Sequence, residues 1–224
     1  MINHIFLMNN KNKNFWNTYY KNTNDNILNP SDFSIFVYEN YIEKYNENNI
    51  YFKIADLGCG NCRDSLYFCN KNNICYGIDI NGVLDVEMEN CKLIKKDVDN
   101  ILKNHELGIL FDVVYMRWFL HALPYDISEN IFKNSVNNLK PNGLICIEVR
   151  SMNDHELKKN STYDITDGSF ITTHKRWLYS IDMCKELSDD NNCDILYCEE
   201  GYFSPNNNTE TKNPLLIRLI CRKK

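Results

Sequence analysis

The sequence predicts an α/β domain built on a mostly parallel sheet, and three observations carry that expectation. From Tyr51 onward, short apolar runs alternate with longer helix-patterned segments, the signature of repeated βαβ units. The chain has 224 residues, 43% of them hydrophobic, enough for one domain with a full core or two very small ones. Gly58-x-Gly60 sits where a strand hands over to a helix, and Pro141-Asn142-Gly143 where a helix hands back to a strand.

Taken in order, residues 1–30 are polar and Asn-rich apart from Phe15, Trp16, Tyr19 and Tyr20. That spacing suits one face of a short helix, so the segment is expected to be an N-terminal aromatic cap. Ser31, preceded by Pro30, caps a helix to about residue 46 whose Phe33, Val37, Tyr41 and Tyr45 recur every four residues. Strands are expected at 51–57, 74–79, 91–95, 111–116 and 143–149. Helices are expected at 62–70, 81–88, near 118–122, and at 127–139. A polar excursion follows Arg150 to about Thr173, then a helix at 180–188 and strands at 194–203 and 214–222. No repeat or linker interrupts the pattern, so 31–224 reads as one domain with an insertion at about 150–176.

Composition excludes several roles. A net charge of −5 argues against affinity built on neutralising phosphates, so no nucleic-acid partner is expected and the partner is small. No apolar run approaches the roughly 18–20 residues that span a bilayer. Ile5-Phe6-Leu7-Met8 is too short for a secretory core and lacks a basic stretch before it, so a cytoplasmic location is expected. The 10 cysteines are then free thiols of a reducing compartment. Cys59-x-x-Cys62 is the only close pair, and a zinc site would need a second pair or histidines at matching spacing, so no metal is expected.

The informative segment runs Ile54-Ala55-Asp56-Leu57-Gly58-Cys59-Gly60-Asn61-Cys62-Arg63-Asp64-Ser65. Glycines there let backbone approach a ligand, and the helix that follows offers free N–H groups. A dinucleotide fingerprint would need glycine at position 63, where the chain has Arg63, so nicotinamide or flavin binding loses its support. The acid before the first glycine, Asp56, is matched by Asp79 at the end of the second strand, placed to accept hydrogen bonds from both hydroxyls of a ribose. Asp97 ends the third strand in the same way. Three acids at three successive strand ends describe a nucleoside pocket without a polyphosphate cradle.

These motifs, with Phe111-Asp112-Val113-Val114-Tyr115 in the fourth strand and Leu139-Lys140-Pro141-Asn142-Gly143 before the fifth, resemble the class I S-adenosylmethionine-dependent methyltransferases. The resemblance implies a Rossmann-like three-layer sandwich with a seven-stranded, mostly parallel sheet whose last strand is antiparallel. It implies S-adenosyl-L-methionine as cofactor and S-adenosyl-L-homocysteine as product. Asp56, Gly58 and Gly60 correspond to the first motif, Asp79 to the ribose acid, and Asp97-Val98 to the adenine-reading pair. Cys59, Arg63, Ile80 and Met116 complete the expected cofactor set. One departure stands out: Cys62 occupies a position where glycine is common, and its Cβ would crowd the methionine part of the cofactor unless φ stays negative.

Methyl transfer is an in-line displacement at a sulfonium carbon, so the enzyme supplies positioning and, for a hydroxyl, proton removal. The acceptor is expected above strands four and five. His121 is the first choice for a base because its ordinary pKa is near neutrality; a helix histidine satisfied by the backbone is the alternative. His174 and Glu148 complete the catalytic candidates. Arg117 and Arg150 would orient a polar substrate or pair with acids at the rim, Tyr20 would cap it, and Arg176, two residues from His174, would meet a phosphate or carboxylate. No Asn/Asp-Pro-Pro-Tyr/Phe follows the fourth strand, which argues against adenine or glutamine methylation, and no acid ends that strand to complete a magnesium triad. The favoured reading is O-methylation of a sugar, on a nucleotide or a glycan, by resemblance to enzymes of glycan biosynthesis. The alternatives are another small acceptor (carboxylate, amine or oxyanion) and a non-catalytic nucleoside-binding subunit.

Overall fold

Ser31 accepts a hydrogen bond from the Ser34 N–H at 3.1 Å and starts α1 (Asp32–Val37). The run continues through a π-helical turn, Tyr38–Ile42, and a 3-10 turn, Glu43–Tyr45. The wider π turn moves the buried stripe from Tyr41 to Ile42, so Phe33, Val37 and Ile42 face the core. The computed structural model describes residues 15, 16, 18, 29–45, 51–84, 88–203 and 213–224; the expectations for Tyr19, Tyr20 and most of 1–30 lie outside them.

The alternation that follows is β1 (Lys53–Leu57), α2 (Arg63–Asn70), β2 (Ile74–Ile78), β3 (Cys91–Ile94), α3 (Val98–Lys103), β4 (Phe111–Arg117), α4 (Tyr125–Asn137) and β5 (Leu139–Arg150). Beyond it come α5 (His155–Lys159), β6 (Thr162–Asp164), β7 (Ser169–Ile171), β8 (Lys175–Arg176), α6 (Ile181–Asp190), β9 (Cys193–Gly201) and β10 (Leu216–Lys223). The main sheet has the order β3-β2-β1-β4-β5-β10-β9, with β10 antiparallel to both neighbours. This is the Rossmann-like arrangement the motifs implied. β6, β7 and β8 form a separate three-stranded antiparallel sheet inside the excursion after Arg150, which is therefore folded rather than a plain loop.

Both faces of the sheet are covered, which is why its strands read as nearly continuous apolar runs. Ile54, Cys75, Val113 and Tyr115 pack with Phe33, Val37 and Phe68 on one face. Ala55, Leu57, Ile78 and Val114 pack with Phe132 and Ile131 on the other. A polar knot ties α1 to that framework. The Asp64 carboxylate accepts from the Ser31 N–H at 2.7 Å, the Ser31 hydroxyl at 2.8 Å, the Ser34 hydroxyl at 3.0 Å and the Tyr115 hydroxyl at 2.9 Å.

Two expectations are corrected. The helix expected at 81–88 is absent from its described residues, because the Val83 N–H bonds the Gly60 carbonyl at 2.8 Å instead of a helical partner. A side chain at Gly82 would also meet Leu93 at 2.7 Å, so the segment lies flat against the sheet edge. Conversely, Asp97 does not end a strand: β3 stops at Ile94, and Asp97 accepts from the Asn100 N–H at 3.1 Å as the N-cap of α3, a helix the sequence reading missed.

Candidate functional site

One cleft of about 980 Å³ opens at the carboxyl ends of β1 to β4, where the sheet order reverses between β1 and β4. It is near the upper end of the roughly 300–1,000 Å³ range of ligand sites, with room for two small molecules side by side. Asp56, Asp79 and Asp97 all line it, so the three acids converge on one space, two from strand ends and Asp97 from a helix N-cap. Among the described residues, no group of His, Cys, Asp and Glu is arranged to hold a metal ion, and no helix is long and apolar enough to cross a membrane.

The acidic end is built by the glycine turn. Gly58 has φ +72°, and a Cβ there would meet the Phe119 ring carbon Cγ at 2.7 Å, so only glycine allows loop and ring to touch. Gly60, at φ +54°, donates its N–H to Asp79 at 3.0 Å, while the Asn81 N–H donates to the other Asp79 oxygen at 2.7 Å. The carboxylate is thus aimed by two backbone donors, and burial raises its pKa. Cys59, Arg63, Ile80 and Val98 also line this end. Gly60 and Met116 do not. Gly60 shapes the loop from behind, and Met116 points into the core with no exposure.

Cys62 caps α2 with φ +58°, so the negative φ that would accommodate its Cβ is not adopted. A left-handed residue with a side chain costs roughly 1–2 kcal/mol. The crowding feared for the cleft does not occur, however: Cys62 is fully buried, lies outside the lining, and donates its thiol to the Cys59 sulfur at 3.5 Å.

Asp56 is the most perturbed acid. Burial, followed by the nearby Asp64 charge, pushes it up to about 7, against a downward pull from the Ser65 hydroxyl that donates to it at 2.5 Å. Between its ordinary value of 3.8 and about 7, the native state therefore holds a proton that the unfolded chain has released. The contribution of Asp56 consequently destabilises the fold progressively as pH rises through that window. Asp56→Asn, which cannot ionise, should match the wild type near pH 4 and exceed it by up to about 4 kcal/mol above pH 7. Urea melts at pH 4, 6 and 8 check this; a gap that does not widen with pH would show that Asp56 stays ionised in the free protein.

The rest of the lining is basic and aromatic. Arg117, Arg176, His121 and His174 contribute to it together with Trp118, Phe119, Phe15 and Trp16; Phe119 adjoins the glycine turn and Arg117 lies near the Asp64 and Asp56 charges. His121 is 2% exposed, and its Nδ1 accepts the Arg150 backbone N–H at 3.1 Å. The ring is therefore a neutral Nε2–H tautomer, and burial, with Arg150, Arg176, His174 and Arg117 around it, holds its pKa well below the ordinary value. This corrects the expectation of a base: His121 offers a hydrogen-bond donor. His174 stacks on Phe15 with ring centroids 4.4 Å apart, and burial and Arg176 lower it to about 3.

Glu148 is also corrected. It lies outside the cleft lining, 1% exposed, and both oxygens are engaged: one by Trp118 Nε1 at 3.0 Å and Arg117 Nε at 3.2 Å, the other by Arg218 Nε at 2.8 Å. It anchors Arg117 and Trp118 from behind. Arg150, expected on the substrate, is likewise behind the wall, bonded to Asp154 at 2.8 Å. Tyr20 lies outside the described residues. Sequence reasoning gave no role to Trp118, which takes φ +56° directly after β4 and carries the Arg117 guanidinium 4.5 Å from its ring. Its position between two functional strand ends was the available signal.

Residues 55–147 match the family model described as a methyltransferase domain. No curated protein matches the chain. Among solved structures, an S-adenosylmethionine-dependent methyltransferase of Methanosarcina mazei superposes with a TM-score of 0.58 at 20% identity, over 82% of this chain and 97% of that one. Burkholderia thailandensis 1,6-didemethyltoxoflavin-N1-methyltransferase, with 1,6-didemethyltoxoflavin and S-adenosylhomocysteine bound, superposes at 0.64 with 15% identity over 95% and 87%. An S-adenosylmethionine-dependent methyltransferase of Clostridium acetobutylicum does so at 0.60 with 17% identity over 94% and 98%.

Proposed function

We propose that this protein is an S-adenosylmethionine-dependent methyltransferase that binds its cofactor at the acidic end of the cleft and methylates a small molecule held at the basic, aromatic end. The observation that carries the reading is the shared cleft itself: one space is lined by strand-end carboxylates on one side and by arginines, neutral histidines and aromatic rings on the other.

The residues present fit the cofactor. Asp79 is oriented by two backbone donors and retains lone pairs for ribose hydroxyls. Asp56 and Asp79 are carboxyls whose ionised forms are held at a cost, which a bound cation would offset. Val98, at the start of α3, offers an apolar wall for adenine, with Asp97 beside it. When bound, the cofactor supplies an electrophilic methyl carbon on a positively charged sulfur. Trp118 and Phe119, fixed by Glu148 and Gly58 respectively, orient the acceptor and exclude water from it.

A sugar acceptor is not the reading we keep. The cleft end available to the acceptor offers mainly flat rings and guanidinium groups, with Thr173 as a neutral polar side chain among them. The experiment is a calorimetric titration with S-adenosylhomocysteine, followed by incubation with methyl-labelled cofactor and a small-molecule extract. Micromolar binding and label in molecules of low mass are expected. Label confined to protein or nucleic acid overturns the proposal; label in nucleotide sugars would restore the sugar reading.

A further inference from the structure

Counting charges around the acceptor end shows an imbalance. Of four guanidinium groups there, those of Arg117, Arg150, Arg176 and Arg218, three are ion-paired through two carboxylates, and Arg117 also feels the Asp64 and Asp56 charges. Glu148 bridges Arg117 and Arg218, and Asp154 holds Arg150. Arg176 is the one left over: among the described residues no carboxylate lies within ion-pair distance of it, and it donates to the Thr172 hydroxyl. It nevertheless lines the cleft and is only partly exposed. A half-buried cation whose compensating charge, on Asp154, is shared with Arg150 is costly to maintain, and in a protein of net charge −5 it is not a by-product of overall composition.

Among the described residues, the candidate bases at this end are engaged elsewhere. His121 has its Nδ1 lone pair taken by the Arg150 N–H, and His174 is packed between Phe15 and Trp16 with its Nδ1 3.1 Å from the Thr173 hydroxyl. Glu148 stands behind the wall with both oxygens engaged. Asp64, which reaches the lining, already accepts four hydrogen bonds, and Asp56 is bonded to Ser65 among the cofactor-side acids. A neutral hydroxyl or ammonium acceptor would need a proton removed, and among the described residues each of these candidates is already engaged.

We propose that the acceptor is a carboxylate on a small planar molecule, held by Arg176 and Arg117 between the aromatic side chains and methylated on oxygen. This rests on the methyltransferase reading above and names the substrate class of the same cleft. The guanidinium fork matches a carboxylate edge to edge, and His121 Nε2–H adds a neutral donor. Trp118 and Phe119 on one wall and Phe15 and Trp16 near His174 suit a flat body. In the transfer, a carboxylate oxygen forms a bond to the methyl carbon while the carbon–sulfur bond breaks and its electron pair stays on sulfur. An anion and a sulfonium cation become a neutral methyl ester and a neutral thioether. No proton moves, so the step needs no base, and loss of the acceptor's charge weakens its hold on Arg176 and favours product release.

The test titrates the protein, saturated with S-adenosylhomocysteine, with sodium benzoate, benzamide and inorganic phosphate. Benzoate should bind at least tenfold more tightly than benzamide and more tightly than phosphate. Arg176→Gln should remove that preference while leaving S-adenosylhomocysteine affinity within twofold; Arg176→Lys, which keeps the charge and loses the fork, should fall between and covers a failure of the glutamine variant to fold. In the labelled extract, mild alkali should release the transferred label as methanol. Equal response to benzoate and benzamide, including no response to either, overturns the proposal, as does a stronger response to phosphate, an unchanged preference in Arg176→Gln, or alkali-stable label. Failure of S-adenosylhomocysteine itself to bind overturns the methyltransferase reading first, and is seen separately.

Discussion

Asp64→Ala should lower the unfolding free energy by about 3 kcal/mol, a loss of roughly 6–12 °C in melting temperature for a chain of this size. The reason is the number of donors that depend on one buried carboxylate. Ser31 supplies both its N–H and its hydroxyl, Ser34 a hydroxyl and Tyr115 another, and all three residues are buried. Partial rescue is built in, because the Ser34 hydroxyl lies 2.8 Å from the Ser31 carbonyl and the Tyr115 oxygen 3.2 Å from Ser31 Oγ. The Ser31 N–H has no such alternative, and without it the start of α1 loses its tie to α2. Urea unfolding of Asp64→Ala, Tyr115→Phe and the double variant measures the effect. The pair should show a coupling of about 1–2 kcal/mol. A single-variant loss below 1 kcal/mol would mean that water substitutes for the carboxylate and that the knot does not hold α1.

What the sequence made legible follows from where the physics is local. The central strands could be read because both faces are buried and period-two alternation gives way to continuous apolar runs, as in Ile54-Ala55 and Val113-Val114. The cleft acids could be read because a parallel strand delivers its last residues to one edge, which is how Asp56 and Asp79 meet. The same logic failed where a partner comes from far along the chain. Val83 bonds the Gly60 carbonyl, so an apolar pattern that suits a helix over 81–88 is overruled by a loop more than 20 residues earlier. Glu148 looks like a reactive acid at a strand end, yet its partner Arg218 lies 70 positions away, and nothing near residue 148 reveals that it is spoken for. His121 illustrates the limit most sharply. Its ordinary pKa recommends it as a base, and its actual state is decided by burial and by arginines at 117, 150 and 176, which only the fold brings together.

Asp79→Ala should raise the dissociation constant for S-adenosylhomocysteine by 100-fold or more, about 3 kcal/mol, and this is the largest functional effect expected of any single change. Two contributions add. The carboxylate proposed to take both ribose hydroxyls disappears, and hydrogen bonds to a charged acceptor are worth about 1.5–3 kcal/mol when partly buried. The Gly60 and Asn81 N–H groups also lose the acceptor that fixes them, at 3.0 and 2.7 Å, so the turn that shapes the acidic end loosens. The two can be separated. Asp79→Asn keeps an oxygen for one backbone donor but loses the charge, and should cost about tenfold in affinity while unfolding within 1 kcal/mol of wild type. A cofactor product lacking the ribose 2′-hydroxyl should bind wild type more weakly and lose less than the full product does in Asp79→Ala. If both ligands lost affinity equally in that variant, the carboxylate would be a brace for the glycine turn rather than a ribose contact. A change of less than threefold for either would remove Asp79 from the cofactor site altogether.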